Sequence, residues 1–338
     1  MKKLIFIILL SFNHLCFSQE NHQIINSDIH SKIEQAYSIN NYDLCVKLYE
    51  SYFPQIDFNN EETSYYYISS KINAHFVDKS YYNAEKYIDL YNGKYLKNLL
   101  YEYGEFHFKK NNFKRAIKYL SRISDKNDDN ISYILGISHF NNKNYETAYD
   151  YLKDIINENL IDNTNFSLGV ISYSLNNLDE SINYFKKILS NLGWTPQKSD
   201  NHTDAFLRGF VILALGKLDD EQVLEKANIK FKEFLKNPAT LHPDIREPIF
   251  SLVAWTGNKK THSQLETLYK KSKSMEEKLR FLGAMCNFRD EKLLLKTLQF
   301  SQTSEVRSQN MQLPIMKIAA NPYGRKIMWP WLKKNWGK

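Results

Sequence analysis

Nine histidines are spread through this 338-residue sequence, and zinc chemistry is the first thing their side chains offer. A zinc peptidase site needs two histidines one helical turn apart with a glutamate after the first, H-E-x-x-H. At that spacing both imidazoles reach one metal. None of the nine is followed by Glu-x-x-His. His107 and His139 share a place in a repeat described below, but no third ligand stands at suitable spacing. No metal, cofactor, nucleophile or paired acid and base is expected. Planar cations remain. Arg208, Arg246 and Arg307 each carry a permanent charge in a rigid fork. Such a fork suits a peptide carboxylate, and equally suits several carbonyls at a helix end; both roles stay open.

The elements that must position these groups begin with a repeat. Glycine recurs at Gly104, Gly136 and Gly169, at spacings of 32 and 33. Twelve residues after each comes a small residue, Ala116, Ala148 or Ser181, and four further on an apolar one, Leu120, Leu152 or Phe185. Between them, Asn111-Asn112-Phe113, Lys143-Asn144-Tyr145 and Asn176-Asn177-Leu178 supply a polar turn and an apolar anchor. Small residues at fixed places let two helices of a pair approach closely. The pattern resembles tetratricopeptide repeats, without that family's early tryptophan and unit-end proline. Two weaker units are placed on Cys45 and Ala84, preceded by Tyr42 and Tyr81. Stacked repeats present a concave face. In the repeat register Tyr101, Phe108, Tyr133, Phe140, Phe166 and Tyr173 either line that face or lock neighbouring repeats together. Phe108 and Phe140 lean to the core. No lysine and asparagine clamp for a peptide carboxylate is visible, and a histidine at 107 or 139 reads as packing between helices.

Composition narrows the class. Hydrophobic residues at 43% and aromatics at 14% supply a core. The net charge of +7 is interspersed, with a local excess only at Arg325, Lys326, Lys333, Lys334 and Lys338. That excludes the basic stripe of a nucleic-acid binder. Residues 1–18 read as a secretory signal: Lys2 and Lys3, an apolar run from Leu4 to Leu10, and Ser18 before a cut at Gln19. Leu15 is bulky for lipidation at Cys16, and the apolar run is too short to span a bilayer. No transmembrane anchor is expected after cleavage. The chain is expected to be exported, to a periplasmic or extracellular space. Cys45 and Cys286 are too few for a disulfide framework.

From about Ile188 helix signals strengthen. Asp219-x-x-Gln222, Thr261-x-x-Gln264 and Ser274-x-x-Glu277 read as capping boxes, and Asn237-Pro238 and His242-Pro243 as breaks. About eight helices are predicted between Asp204 and Trp336. A series of blocks carries a resemblance: Leu192-Gly193-Trp194, Leu207-Arg208, Ala214-Leu215-Gly216, Pro243-Asp244-Ile245-Arg246 and Val253-Ala254-Trp255-Thr256-Gly257. Further on come Leu268-Tyr269-Lys270-Lys271, Glu276-Glu277-Lys278-Leu279-Arg280, Glu305-Val306-Arg307-Ser308-Gln309-Asn310 and Asn321-Pro322-Tyr323-Gly324-Arg325. In order and spacing these resemble the C-terminal helical domain of zinc aminopeptidases of the aminopeptidase N and endoplasmic-reticulum type. Asn310 departs, since that family has aspartate there. The resemblance implies a bowl of helix pairs, armadillo- or HEAT-like, that holds the distal part of a peptide over a zinc site borne by another domain. Gly283-Ala284-Met285-Cys286-Asn287 is similar to the G-A-M-E-N strand of that family only by chance, because Cys286 stands where the glutamate is needed.

The expected fold is all-α, a helical-repeat solenoid. A signal peptide (1–18) leads a tetratricopeptide-like array (19–187), followed by an aminopeptidase C-terminal-like helical domain (188–338) without the catalytic zinc domain. The expected function is an exported, non-catalytic module that binds a peptide or protein partner. The rival is a C-terminal part or accessory subunit of a zinc aminopeptidase whose catalytic domain lies on another chain. Arg208, Arg246, Arg307, Tyr101, Tyr133, Phe166 and Tyr173 are the candidate contacts.

Overall fold

A computed structural model describes residues 28–53, 60–74, 79–124, 128–158, 160–198 and 200–335. The expected signal segment and its expected cut at Gln19 lie outside them, as do Trp336 and the side chains of Tyr81 and Ala84. The described residues are helices joined by short turns, with no strand among them. The all-α reading holds.

The chain divides into two compact units, at Asn157 and Glu158. The first contains α1 (28–38), α2 (Tyr42–Tyr52), α3 (Glu61–Asn73), α4 (Lys79–Leu90), α5 (Leu96–Lys109), α6 (Phe113–Leu120), α7 (Asp129–Asn141) and α8 (Tyr145–Leu152). The second contains α9 (Ile161–Ser174), α10 (Leu178–Leu192), α11 (His202–Lys217), α12 (Glu221–Lys236), α13 (Pro243–Trp255), α14 (Lys259–Lys271), α15 (Met275–Met285), α16 (Glu291–Ser301), α17 (Gln312–Ala320) and α18 (Arg325–Asn335). Eight α-helices thus follow Asn201, as predicted. The third repeat, α9 with α10, packs inside the second unit, so this division into compact units falls within the repeat array.

The repeat glycines act by close approach. A Cβ on Gly104 would sit 2.4 Å from Leu120, on Gly136 2.5 Å from Leu152, and on Gly169 2.5 Å from Phe185. These are the apolar anchors sixteen residues on in each unit. Ala116, Ala148 and Ser181 are fully buried, and the Ser181 hydroxyl donates to the Gly169 carbonyl at 2.8 Å. Gly216 repeats the device against Leu252, at 2.3 Å.

The polar turns share one geometry. Asn40, Asn111, Lys143, Asn176 and Asp219 all have φ between 57° and 64°. At each, that residue's N–H donates three residues back and the next N–H donates five residues back, as in His107 O accepting from Asn112. This double closure satisfies carbonyls that a helix end leaves open, and Asn tolerates the left-handed backbone it needs. Two expected caps move accordingly. Asp219 sits in the turn and Asp220 caps α12, accepting from Val223 N. Asn258 caps α14, with Thr261 at the third position of its capping box. Ser274 caps α15 as expected.

Each unit has its own core. Ile33, Tyr49, Ile68, Leu99, Tyr103 and Leu120 sit in the first, and Val211, Leu215, Phe250, Leu252, Leu282 and Leu298 in the second. Cys45 and Cys286 are free and buried. Burial pushes the Cys286 thiol up to about 12, which makes it a poor nucleophile.

Candidate functional site

The second unit arranges α11, α13, α15 and α17 as one layer, each packed on the next, with α12, α14 and α16 behind. The C-terminal ends of the front helices come together. Lys217, the last residue of α11, donates to Asn287 Oδ1 at 2.9 Å and holds its ammonium 3.5 Å from the Trp255 ring centroid. Arg289 stacks on the same indole at 4.3 Å and pairs with Asp219, which also accepts from Trp255 Nε1 at 3.3 Å. Tyr323 packs edge-on against Trp255. Helix C-termini carry partial negative charge, so two cations here are favourably placed. Burial first, then the nearby Arg289, lowers the Lys217 amine to about 7, while Asp219 opposes the shift.

Beside this cluster lies an apolar cavity of about 220 Å³, lined by Val170, Tyr173, Phe185, Phe210, Ala214, Lys217 and Leu218. Tyr173 and Phe210 are exposed at its mouth, and Phe206 stands one turn away with 67% of its surface in solvent. Lys217 joins the two features, lining the cavity while its ammonium faces Trp255. The arrangement can take an apolar group in the cavity and an anion next to it. Its side chains come from residues 36 and 70 positions apart, such as Asp219 with Trp255 and Lys217 with Asn287. No local pattern marks such pairs. The available hint was Trp255 within a quoted block, followed at a repeat-like distance by Asn287.

The arginines expected to meet a carboxylate are mostly committed elsewhere. Arg208 is fully buried, and its Nε and Nη2 donate to the carbonyls of Leu192 and Gly193 at the end of α10. Gly193 adopts φ 64°, which turns the chain there, and Asp200 neutralises the guanidinium at 2.6 Å. In this geometry Arg208 clamps a helix end, one of the two roles its fork allows. Arg246 likewise donates to the carbonyls of Leu241 and Pro238 and pairs with Glu277 at 3.3 Å. Arg307 is exposed, at the start of a short 3-10 turn, Ser308–Asn310, outside the cluster.

The aromatics separate too. Tyr101 and Tyr133 are half-buried in the first unit, where Phe108 packs edge-on against Tyr133. Phe166 and Tyr173 belong to the second, Phe166 packed on Phe210 and Tyr173 open to solvent. His107 is fully buried among Tyr103, Tyr119 and Phe106, and His139 stacks on Tyr151, in keeping with packing roles. Cys286 ends α15, so Gly283–Asn287 is a helix end and not a strand.

Comparison with known proteins bears on both halves. Residues 179–338 match the family model of the ERAP1-like C-terminal domain. Residues 109–188 match that of anaphase-promoting complex, cyclosome, subunit 3. Aminopeptidase M1 of Arabidopsis thaliana is 33% identical over 150 residues, 43% of this chain and 17% of that protein. Aminopeptidase M1-B of Oryza sativa is 31% identical over the same length, and the mitochondrial aminopeptidase 2 of Saccharomyces cerevisiae 30% over 148 residues. The chain thus covers under a fifth of these relatives. Helix α10 falls in both matches, as second helix of the last repeat and first of the second region. The C-terminal region of this chain is therefore similar to the ERAP1-like C-terminal domain and to the aminopeptidases that share it, and tetratricopeptide-like repeats precede it.

Proposed function

We propose that this chain is an exported, non-catalytic binding module that holds a peptide at the cavity and cation cluster of its second unit. The observation that carries the reading is the single lysine joining the two: Lys217 lines the apolar cavity and meets Trp255 and Asn287 beyond it. A peptide end with an apolar side chain in the cavity would set its carboxylate beside Lys217 and Arg289. A charge-assisted hydrogen bond of this kind is worth about 1.5–3 kcal/mol. A randomised peptide library with free C-termini and its amidated counterpart test this. The acid library is expected to be enriched in apolar terminal residues, with Phe210→Ser abolishing that preference and Lys217→Met abolishing the difference between acid and amide.

A second reading is favoured by the relatives, which are aminopeptidases matched over about 17% of their length, in the region that fits the ERAP1-like C-terminal domain here. In it the chain is an accessory part that completes a zinc aminopeptidase carried on another chain. A neighbouring reading frame with H-E-x-x-H whose product co-purifies with this chain would support it. Export itself is tested by N-terminal sequencing, with Gln19 expected as the first residue.

A further inference from the structure

The first unit carries a face of unlike chemistry, half-buried tyrosines edged by exposed glutamates, and the proposed peptide site of the second unit does not depend on it. On α1 and α3, Tyr37 and Tyr66 lie with ring centroids 4.6 Å apart; Tyr65 stacks on Tyr95 at 4.7 Å, and Tyr66 is 5.7 Å from Tyr65. The hydroxyls of Tyr66 and Tyr95 both donate to Glu62 Oε1, at 3.1 and 3.0 Å. The other Glu62 oxygen has no partner among the described residues, and Glu34 stands exposed near Tyr66. Neither carboxylate is ion-paired with a lysine, arginine or histidine among the described residues. Among the described residues, Lys94 is the cation that lies over a ring of this face, its ammonium 4.7 Å from the Tyr95 centroid.

A tyrosine ring offers a cation its negative face, and a carboxylate beside the ring adds full charge. Arginine suits both at once, since its planar guanidinium stacks on the ring while its N–H fork meets the carboxylate. Lys94 on Tyr95 is a local instance of the same contact. We infer that the Tyr37, Tyr66 and Glu62 face of α1 and α3, extended by Glu34 and Tyr95, binds an arginine-bearing peptide segment. The ligand class is opposite in charge to that proposed for the second unit.

The test uses the full chain and a labelled peptide of alternating glycine and arginine, followed by anisotropy at low ionic strength. Its counterpart with citrulline keeps shape and removes charge. The arginine peptide is expected to bind and the citrulline peptide to bind at least about fivefold more weakly. Glu34→Gln with Glu62→Gln is expected to cost about fivefold, and Tyr66→Ala about threefold. Glu34 and Glu62 are exposed, so melting temperature is expected to hold in the glutamine pair, which keeps the test of binding separate from the packing lost in Tyr66→Ala. Glu225→Gln with Glu233→Gln, exposed on α12, is expected to change nothing. Absence of binding, equal affinity for citrulline, or an equal loss from the α12 pair would overturn the inference.

Discussion

The ammonium of Lys217 stands 3.5 Å from the centroid of Trp255, with Arg289 on the same indole at 4.3 Å. Two cations share one ring and one counterion, Asp219. With Lys217 protonated, such a site holds more positive charge than Asp219 neutralises. That excess is what an anionic ligand relieves, and the predictions on Lys217 follow from it.

The Lys217 amine is expected to titrate near neutrality, since burial and Arg289 lower it to about 7. The unfolded chain keeps it protonated up to roughly pH 10. Between those values the unfolded state binds more protons, so this residue's contribution to stability rises with pH from about 7 to about 10. NMR of carbon-labelled lysines measures it directly. A midpoint with the bulk lysines would contradict the burial argument. A bound carboxylate is expected to move the midpoint up.

Gly216 and Gly209 lie on α11 and are expected to respond oppositely to alanine. A Cβ at Gly216 meets Leu252 at 2.3 Å, so Gly216→Ala forces a core shift costing about 1–3 kcal/mol. At Gly209 the nearest atom is 3.6 Å away, and alanine there stabilises the helix by about 0.5–1 kcal/mol. Urea midpoints of the two variants on either side of the parent check both.

Acid is expected to weaken both units through one buried histidine each. Burial is the leading cause that lowers His107 and His262 to about 4, against an unfolded value near 6.5. Between those values the unfolded state binds more protons, so stability falls as pH drops from about 6.5 to about 4 and levels below that. Each histidine accounts for about 3 kcal/mol at most. His107→Phe, which keeps the aromatic packing, is expected to flatten the acid loss of the first unit only. An unchanged pH profile would contradict this.

Legibility followed distance along the chain. The Gly104, Ala116 and Leu120 pattern was readable because one repeat puts close approach at fixed offsets, and the structure packs those three positions together. The His242-Pro243 break was readable for the same local reason. The caps were half readable, since Asp219 and Asp220 are adjacent acids and only backbone geometry decides which one caps. The site was not. Lys217 reads as an ordinary last-turn lysine until Trp255, Asn287 and Arg289 arrive from two later helix ends. Arg208 and Arg246 drew notice by residue type, but what they hold are main-chain carbonyls, which leave no mark in a sequence.

Arg208 and Arg307 are expected to separate stability from binding. Arg208→Ala strips the end of α10 of three donated hydrogen bonds from a fully buried side chain and is expected to lower the melting temperature. The affinity of the remaining folded protein for peptide is expected to stay unchanged. Arg307→Ala is expected to leave the melting temperature in place. A loss of affinity without thermal cost at Arg208 would restore it as a ligand contact.

The most direct test of the account is equilibrium binding of the acid and amide peptide libraries by the full chain, with parallel assay of peptide hydrolysis. Binding without turnover is expected, with a preference for apolar residues at a free C-terminus and loss of the acid preference in Lys217→Met. Chelator-sensitive hydrolysis that tracks the protein through purification, or equal affinity for acid and amide in the parent, would contradict it.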